Sequence, residues 1–220
     1  MISSVLPFEN TFLALLILIY IPTIFTIGTR TLNSLVSFYV IQSTAMCLLI
    51  LLIYSENRSL ILLFVAILTA VGKVMIIPFV MRRVIRRLKL KRDVKFQYFS
   101  PTTSLFASLF LSAISYMLIT NLSPYLEFST TSKFGAILGI SLCQIGMLIM
   151  ITRKLATTNI IGYLTMENGI LVTAIAITEL PFLIEIFGVL DLIMLIFLVM
   201  ILVMRIDAGI ETVERTLEIF

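Results

Sequence analysis

Apolar residues run through this chain in long, nearly unbroken blocks, without the strict alternation of a half-buried strand or the one-sided period of a surface helix. A bilayer span needs about 20 mostly apolar residues. About seven blocks qualify: Thr11–Ile27, Leu35–Tyr54, Leu60–Met81, Leu105–Leu122, Phe134–Ile151, Ile160–Thr178 and Phe182–Met204. The polar connections are short except for the one after Met81. The end of the sequence, "RIDAGIETVERTLEIF", alternates charged and apolar residues and fits a short surface helix. The pattern predicts an all-α, polytopic membrane helix bundle of about seven transmembrane helices, with no soluble domain and no internal repeat. The first span follows no basic stretch and precedes no small-residue cleavage site, so it reads as a retained span and not a signal peptide.

Composition agrees. The 220 residues are 60% hydrophobic and 13% charged, where a soluble domain carries about 25% charged residues. Half of the 16 basic residues lie between Arg82 and Lys95. A basic cluster beside a span sets topology, so it is no argument for nucleic acid. With that loop in the cytoplasm, Arg30, Arg153, Lys154, Arg205 and Arg215 fall on the same side. Only Arg58 and Lys133 fall opposite, and Lys73 lies within a span. The positive-inside rule then places the N-terminus outside and the C-terminus in the cytoplasm.

The chain has no His and two Cys, Cys47 and Cys143, both within apolar blocks. Metal, haem and iron–sulfur sites need clustered His or Cys ligands, so no redox centre of these kinds is expected in this chain. The two thiols read as packing residues. Pro22 and Pro78 fall within spans one and three, where a proline removes a backbone bond and kinks the helix. Gly135 and Gly139 form a G-x-x-x-G pair on span five, a pattern associated with close helix packing.

Three ionisable residues lie deep in spans: Lys73, Glu167 and Asp191. A charge at mid-bilayer costs about 2.5–3.5 kcal/mol on insertion scales, and such residues commonly face the bundle interior, pair, and mark ion or proton paths. At a rise of about 1.5 Å per residue, Lys73 lies roughly 13 Å, Glu167 roughly 11 Å and Asp191 roughly 21 Å from the inner edge. All three stand within a few ångströms of the midplane of a core about 30 Å thick. Lys73 and Glu167 can pair if spans three and six touch. A carboxylate withdrawn from water takes up a proton more readily, and a neighbouring ammonium opposes this. A pair of this kind can hold and release a proton as its surroundings change. Tyr163 and Asn168 near Glu167, Gln42, Ser43 and Thr44 on span two, and Gln144 on span five are the polar residues that could hold water between such groups. Plainer roles stand beside these. Lys73 can snorkel to the surface, the carboxylates can simply join helices, and Gln42 and Gln144 can serve as packing hydrogen bonds.

"NIIGYLTMENGI", followed by "ELPFLIEIFGVLDLIMLIFLVMILVMRI", resembles component E of the hydrogenase-4 and formate hydrogenlyase group. "SFYVIQS" at Ser37–Ser43 and "GKVMIIPFVM" at Gly72–Met81 resemble that family's second and third spans. The last three spans are also similar to the small three-helix K-type (chain 4L) subunit of complex I and the MrpC-type subunit of cation/proton antiporters. The resemblance implies a four-helix segment over 1–133 with a basic loop at 82–100, a three-helix unit over 134–205 and a tail over 206–220. It implies two intramembrane carboxylates on a lateral proton path, matched by Glu167 and by Asp191, where the complex I relatives carry glutamate. Lys73 matches only the hydrogenase-4 branch. The implied role is a membrane-arm subunit of a proton- or sodium-coupled oxidoreductase complex in a prokaryotic cell membrane. Its expected neighbours are antiporter-like and H-type (quinone-module-like) membrane subunits, and hydrophilic hydrogenase-type subunits. The nickel–iron centre and iron–sulfur clusters are expected on those partners, with no cofactor in this chain.

Other classes remain in view. A stand-alone retinal protein needs a lysine on its last span, where this chain has none. A secondary transporter commonly shows two related halves with interrupted helices, which are not evident here. A purely structural assembly subunit predicts the same fold and the same partners.

Overall fold

Among the described residues, long apolar runs bounded by short polar turns fold as helices. The computed structural model describes residues 2–29, 31–87, 100–125, 129–153 and 155–177, together with Ile193, Ile196 and Met200. The helices are α1 (Ile2–Gly28), α2 (Leu32–Asn57), α3 (Leu60–Leu68), α4 (Ile77–Arg87), α5 (Pro101–Leu122), α6 (Thr130–Thr152) and α7 (Ala156–Ile177). Between α3 and α4 lies a π-helical turn, Thr69–Ile76, so that α3, the turn and α4 form one continuous third span. Among the described residues, six helices are long and apolar enough to cross a membrane. The chain is a multi-pass, all-α membrane protein. The expected seventh span, Asp191 within it, the segment 88–99 and the tail lie outside the described residues.

Local chemistry explains the boundaries. Ser100 caps α5 by accepting the Thr103 N–H, and Pro101 occupies the first turn, where its missing N–H has no cost. Ser129 caps α6 through the Ser132 N–H. Arg58 ends α2 in the left-handed region at φ 48°, its N–H donating to the Tyr54 carbonyl. Helix α4 runs on past Met81 to Arg87, so the first basic residues of the expected loop, Arg82, Arg83, Arg86 and Arg87, are helical. Helix α1 is continuous across Pro22.

Pro78 acts upstream of itself. A proline inside a helix has no N–H to give and crowds the carbonyl four residues back, here Val74. The chain widens just before it, and the Ile77 N–H donates to Gly72, five residues back. The kink expected of Pro78 takes the form of this π turn, with Lys73 inside it.

Helix α2 sits at the centre, packed against α1, the third span and α7, while α6 lies between α5 and α7 and also touches α1. One apolar cluster joins α1, α2, α3, α6 and α7 around Leu16, Met46, Leu49 and Leu142. A second joins the start of α2 to α4 and α7 around Leu35, Tyr39, Ile77 and Leu164. The outer faces are also apolar. Leu60, Phe64, Ile67, Met75 and Phe79 on the third span and Phe106, Leu109, Phe110 and Met117 on α5 are exposed, as a hydrocarbon solvent allows. Gln42, Ser43, Thr69, Lys73, Thr165 and Asn168 turn inward instead.

The closest packing is between α6 and α7. A Cβ added at Gly146 would stand 2.5 Å from the Met166 backbone nitrogen, and one at Gly169 2.5 Å from the Cys143 nitrogen. Gly139 and Gly162 also face the partner helix with no room for a side chain, and Gly135 meets Ala176. The expected Gly135/Gly139 contact therefore belongs to a longer seam. Small residues let the backbones approach directly, and Cys143 Sγ donates to the Met166 carbonyl across the seam at 3.5 Å.

Candidate proton site

The α6–α7 seam sets the rotation of α7, and with it the direction of residues 163–168. Glu167 and Asn168 point toward the third span. Lys73, carried inward on the π turn, answers them: its Nζ donates to Asn168 Oδ1 at 3.0 Å and lies 3.4 Å from Glu167 Oε2. Lys73 is buried, and its ammonium is directed across the bundle and not toward the membrane surface. It lies roughly 20 Å from either end of its span at about 1.5 Å per residue. Glu167 keeps 16% of its side chain accessible against 5% for Lys73, so Glu167 stands nearer the rim of the bundle.

Helix α2 supplies the third wall. Gln42 is buried, and its Oε1 accepts from Thr165 Oγ1 at 3.5 Å. Ser43 beside it and Thr69 at the start of the π turn are fully buried. The three elements thus enclose a polar layer near their midpoints, made of Gln42, Ser43, Thr69, Lys73, Thr165 and Asn168, with Glu167 at its edge. A buried ion pair of this kind is held in place by the attraction of its charges and by the extra hydrogen bond from Asn168.

Of the other residues singled out from the sequence, Thr44 and Gln144 face away from this layer. Thr44 is exposed and returns its hydroxyl to the Val40 carbonyl. Gln144 faces α5, where its Oε1 accepts from Ser115 Oγ at 3.0 Å, so it belongs to a different interface from Lys73. Tyr163 is half-buried in the apolar cluster around Tyr39 and Ile77. Asp191 lies outside the described residues. Among the described residues, no three His, Cys, Asp or Glu side chains gather where they would hold a metal ion.

One ionic residue was missed by sequence reasoning. Arg153, placed at the cytoplasmic surface by charge counting, is buried. Its Nη2 donates to the carbonyls of Thr26, Ile27 and Thr29 at 2.8, 2.9 and 3.1 Å. It caps the carboxyl end of α1, where a helix leaves carbonyls unsatisfied and carries partial negative charge. These three carbonyls are backbone atoms, which no side-chain pattern announces. The only available signal was its position directly after the last apolar turn of α6.

No family model, no curated protein and no solved structure matches this chain.

Proposed function

We propose that this chain is a membrane-arm subunit of an ion-translocating oxidoreductase complex of the group 4 hydrogenase or formate hydrogenlyase type. Its part is a proton site made by Glu167 and Lys73. The observation that carries this reading is the buried pair at 3.4 Å near the middle of two spans. An ion pair at that depth is costly to place, and such groups commonly belong to ion pathways. Glu167 takes and releases the proton. Lys73 balances the charge left on the carboxylate when the proton departs. Asn168 keeps the ammonium in reach of both. Asp191 continues the path by resemblance to the relatives' second carboxylate. Redox chemistry belongs to partner subunits, and the membrane is that of a prokaryotic cell, with the basic end of α4 on the cytoplasmic side.

A second reading is a purely structural subunit, favoured by the same pair, since it ties the third span to α7. Glu167→Gln separates the two. Coupled ion transport by membranes containing the assembled complex should fall sharply in that variant. Wild-type transport with normal assembly would leave only the structural role. Purification in mild detergent should retain antiporter-like and hydrogenase-type subunits. A lone 24.8 kDa protein transporting ions by itself would reject the complex.

A further inference from the structure

Hydroxyl groups within these spans mostly satisfy themselves on their own helix. Thr26, Thr44 and Ser141 each donate to the carbonyl four residues back. Ser43 and Thr69 do not: both are fully buried, and neither hydroxyl has a partner among the described residues. Two amide nitrogens share that condition, Gln42 Nε2 and Asn168 Nδ2. Buried polar groups are almost always hydrogen-bonded, so four such atoms together require an explanation.

They do lie together. Cys47 Sγ bonds the Ala66 carbonyl, which pairs those levels of α2 and α3. In that antiparallel register Ser43, one turn before Cys47, comes level with Thr69. Thr165 pairs with Gln42, and Asn168 is about one turn further along α7. The four residues therefore stand at similar heights on α2, the π turn and α7.

The Asn168 orientation is not free to change. Its Oδ1 accepts from the Lys73 ammonium, and exchanging oxygen for nitrogen would set donor against donor. Its Nδ2 must then find an acceptor elsewhere. Turning the Gln42 amide round would only exchange an orphaned N–H for an orphaned carbonyl. Small molecules that both accept and donate would satisfy groups of both kinds. A bound anion would face Glu167, and a bound cation would face Lys73. Water meets the requirement, and the site has the two to four polar partners that an internal water needs.

We propose that this layer holds internal water bonded to Gln42 and Asn168, and that Gln42 thereby acts as a positioning residue for the Lys73–Glu167 pair. The second half rests on the proton-site reading above; the hydration does not.

Two measurements test it. Electron cryomicroscopy of the full chain in its membrane complex, at a resolution that shows ordered water, should reveal density within hydrogen-bonding reach of Gln42 Nε2 and Asn168 Nδ2. Both amides bonded to protein acceptors, with no such density, overturns the hydration. For the positioning role, Gln42→Met keeps the volume and removes the polarity, while Gln42→Ser leaves polar space for water. Coupled ion transport should fall by at least about tenfold in Gln42→Met, short of the ~10²–10⁴ of a group that transfers the proton itself. Gln42→Ser should restore most of it. Equal loss in both variants, or wild-type transport in Gln42→Met where Glu167→Gln is defective, overturns the positioning role. Wild-type transport in Glu167→Gln as well rejects the proton site, and the density then decides the hydration alone.

Discussion

Lys73 Nζ lies 3.4 Å from Glu167 Oε2, joining the third span to α7 at the middle of both. Removing one member leaves the other buried with less to balance it, which costs up to about 3–5 kcal/mol when the remaining charge has no outlet. Lys73→Met should therefore lower the thermal stability of the purified protein clearly. Lys73→Met with Glu167→Gln should recover much of the loss, because no charge is then stranded. A double variant no more stable than Lys73→Met would mean that the two charges are not coupled.

The π turn places Lys73, and Pro78 accounts for the π turn. Pro78→Ala restores an N–H and lets the third span close into a regular helix. Losing the extra residue in that turn rotates one half of the span against the other by about 100°. The stability coupling between Lys73 and Glu167, read from the same double-variant comparison made in a Pro78→Ala background, should shrink toward zero. An undiminished coupling would show that the proline does not set the lysine's direction.

The α6–α7 seam tolerates no added side chain. At Gly146 a methyl group would meet backbone at 2.5 Å, and neither helix can yield without moving whole. Gly146→Ala should destabilise by about 1–3 kcal/mol or more, as overpacking does. Gly28→Ala is the control, since its added carbon meets only Leu105 Cδ1 at an ordinary 3.7 Å. Similar melting temperatures for the two variants would argue against the seam.

Arg153 holds three carbonyls at the end of α1. Arg153→Ala should cost about 1.5–3 kcal/mol, the worth of hydrogen bonding to a charged group. Arg153→Lys should recover only part, because an ammonium is a point charge without the planar fork of the guanidinium. Thermal unfolding in detergent gives the comparison. An unchanged Arg153→Ala protein would reduce the cap to a passive contact.

The spans were legible because a hydrocarbon solvent demands unbroken apolar runs, but their starts were not: α5 begins at Pro101 and α6 at Thr130, ahead of the expected Leu105 and Phe134, because polar caps extend a helix beyond its apolar stretch. The depth of Lys73 and Glu167 was legible for a similar reason: rise per residue converts position into height. Which helices touch was not, so their pairing stayed conditional until α7 was seen against the third span. The π turn leaves no mark in an already apolar sequence, and only Pro78 hinted at it. Arg153 escaped because charge counting assigns a side of the membrane and not a partner. Gln144 and Gln42 looked alike in sequence, each a lone amide in an apolar helix. Only helix rotation separates one facing α5 from one facing Thr165.

The glycine seam also divides the bundle mechanically. Helices α6 and α7 meet backbone to backbone, with no side-chain layer between them to absorb displacement. Span three is interrupted by the π turn, whose wider ring gives up the regular bonding of an α-helix. The bundle thus joins a stiff half that carries the carboxylate to a compliant half that carries the ammonium. When the charge on Glu167 changes, the yielding falls to span three, and the distance between the two groups is set by the softer partner.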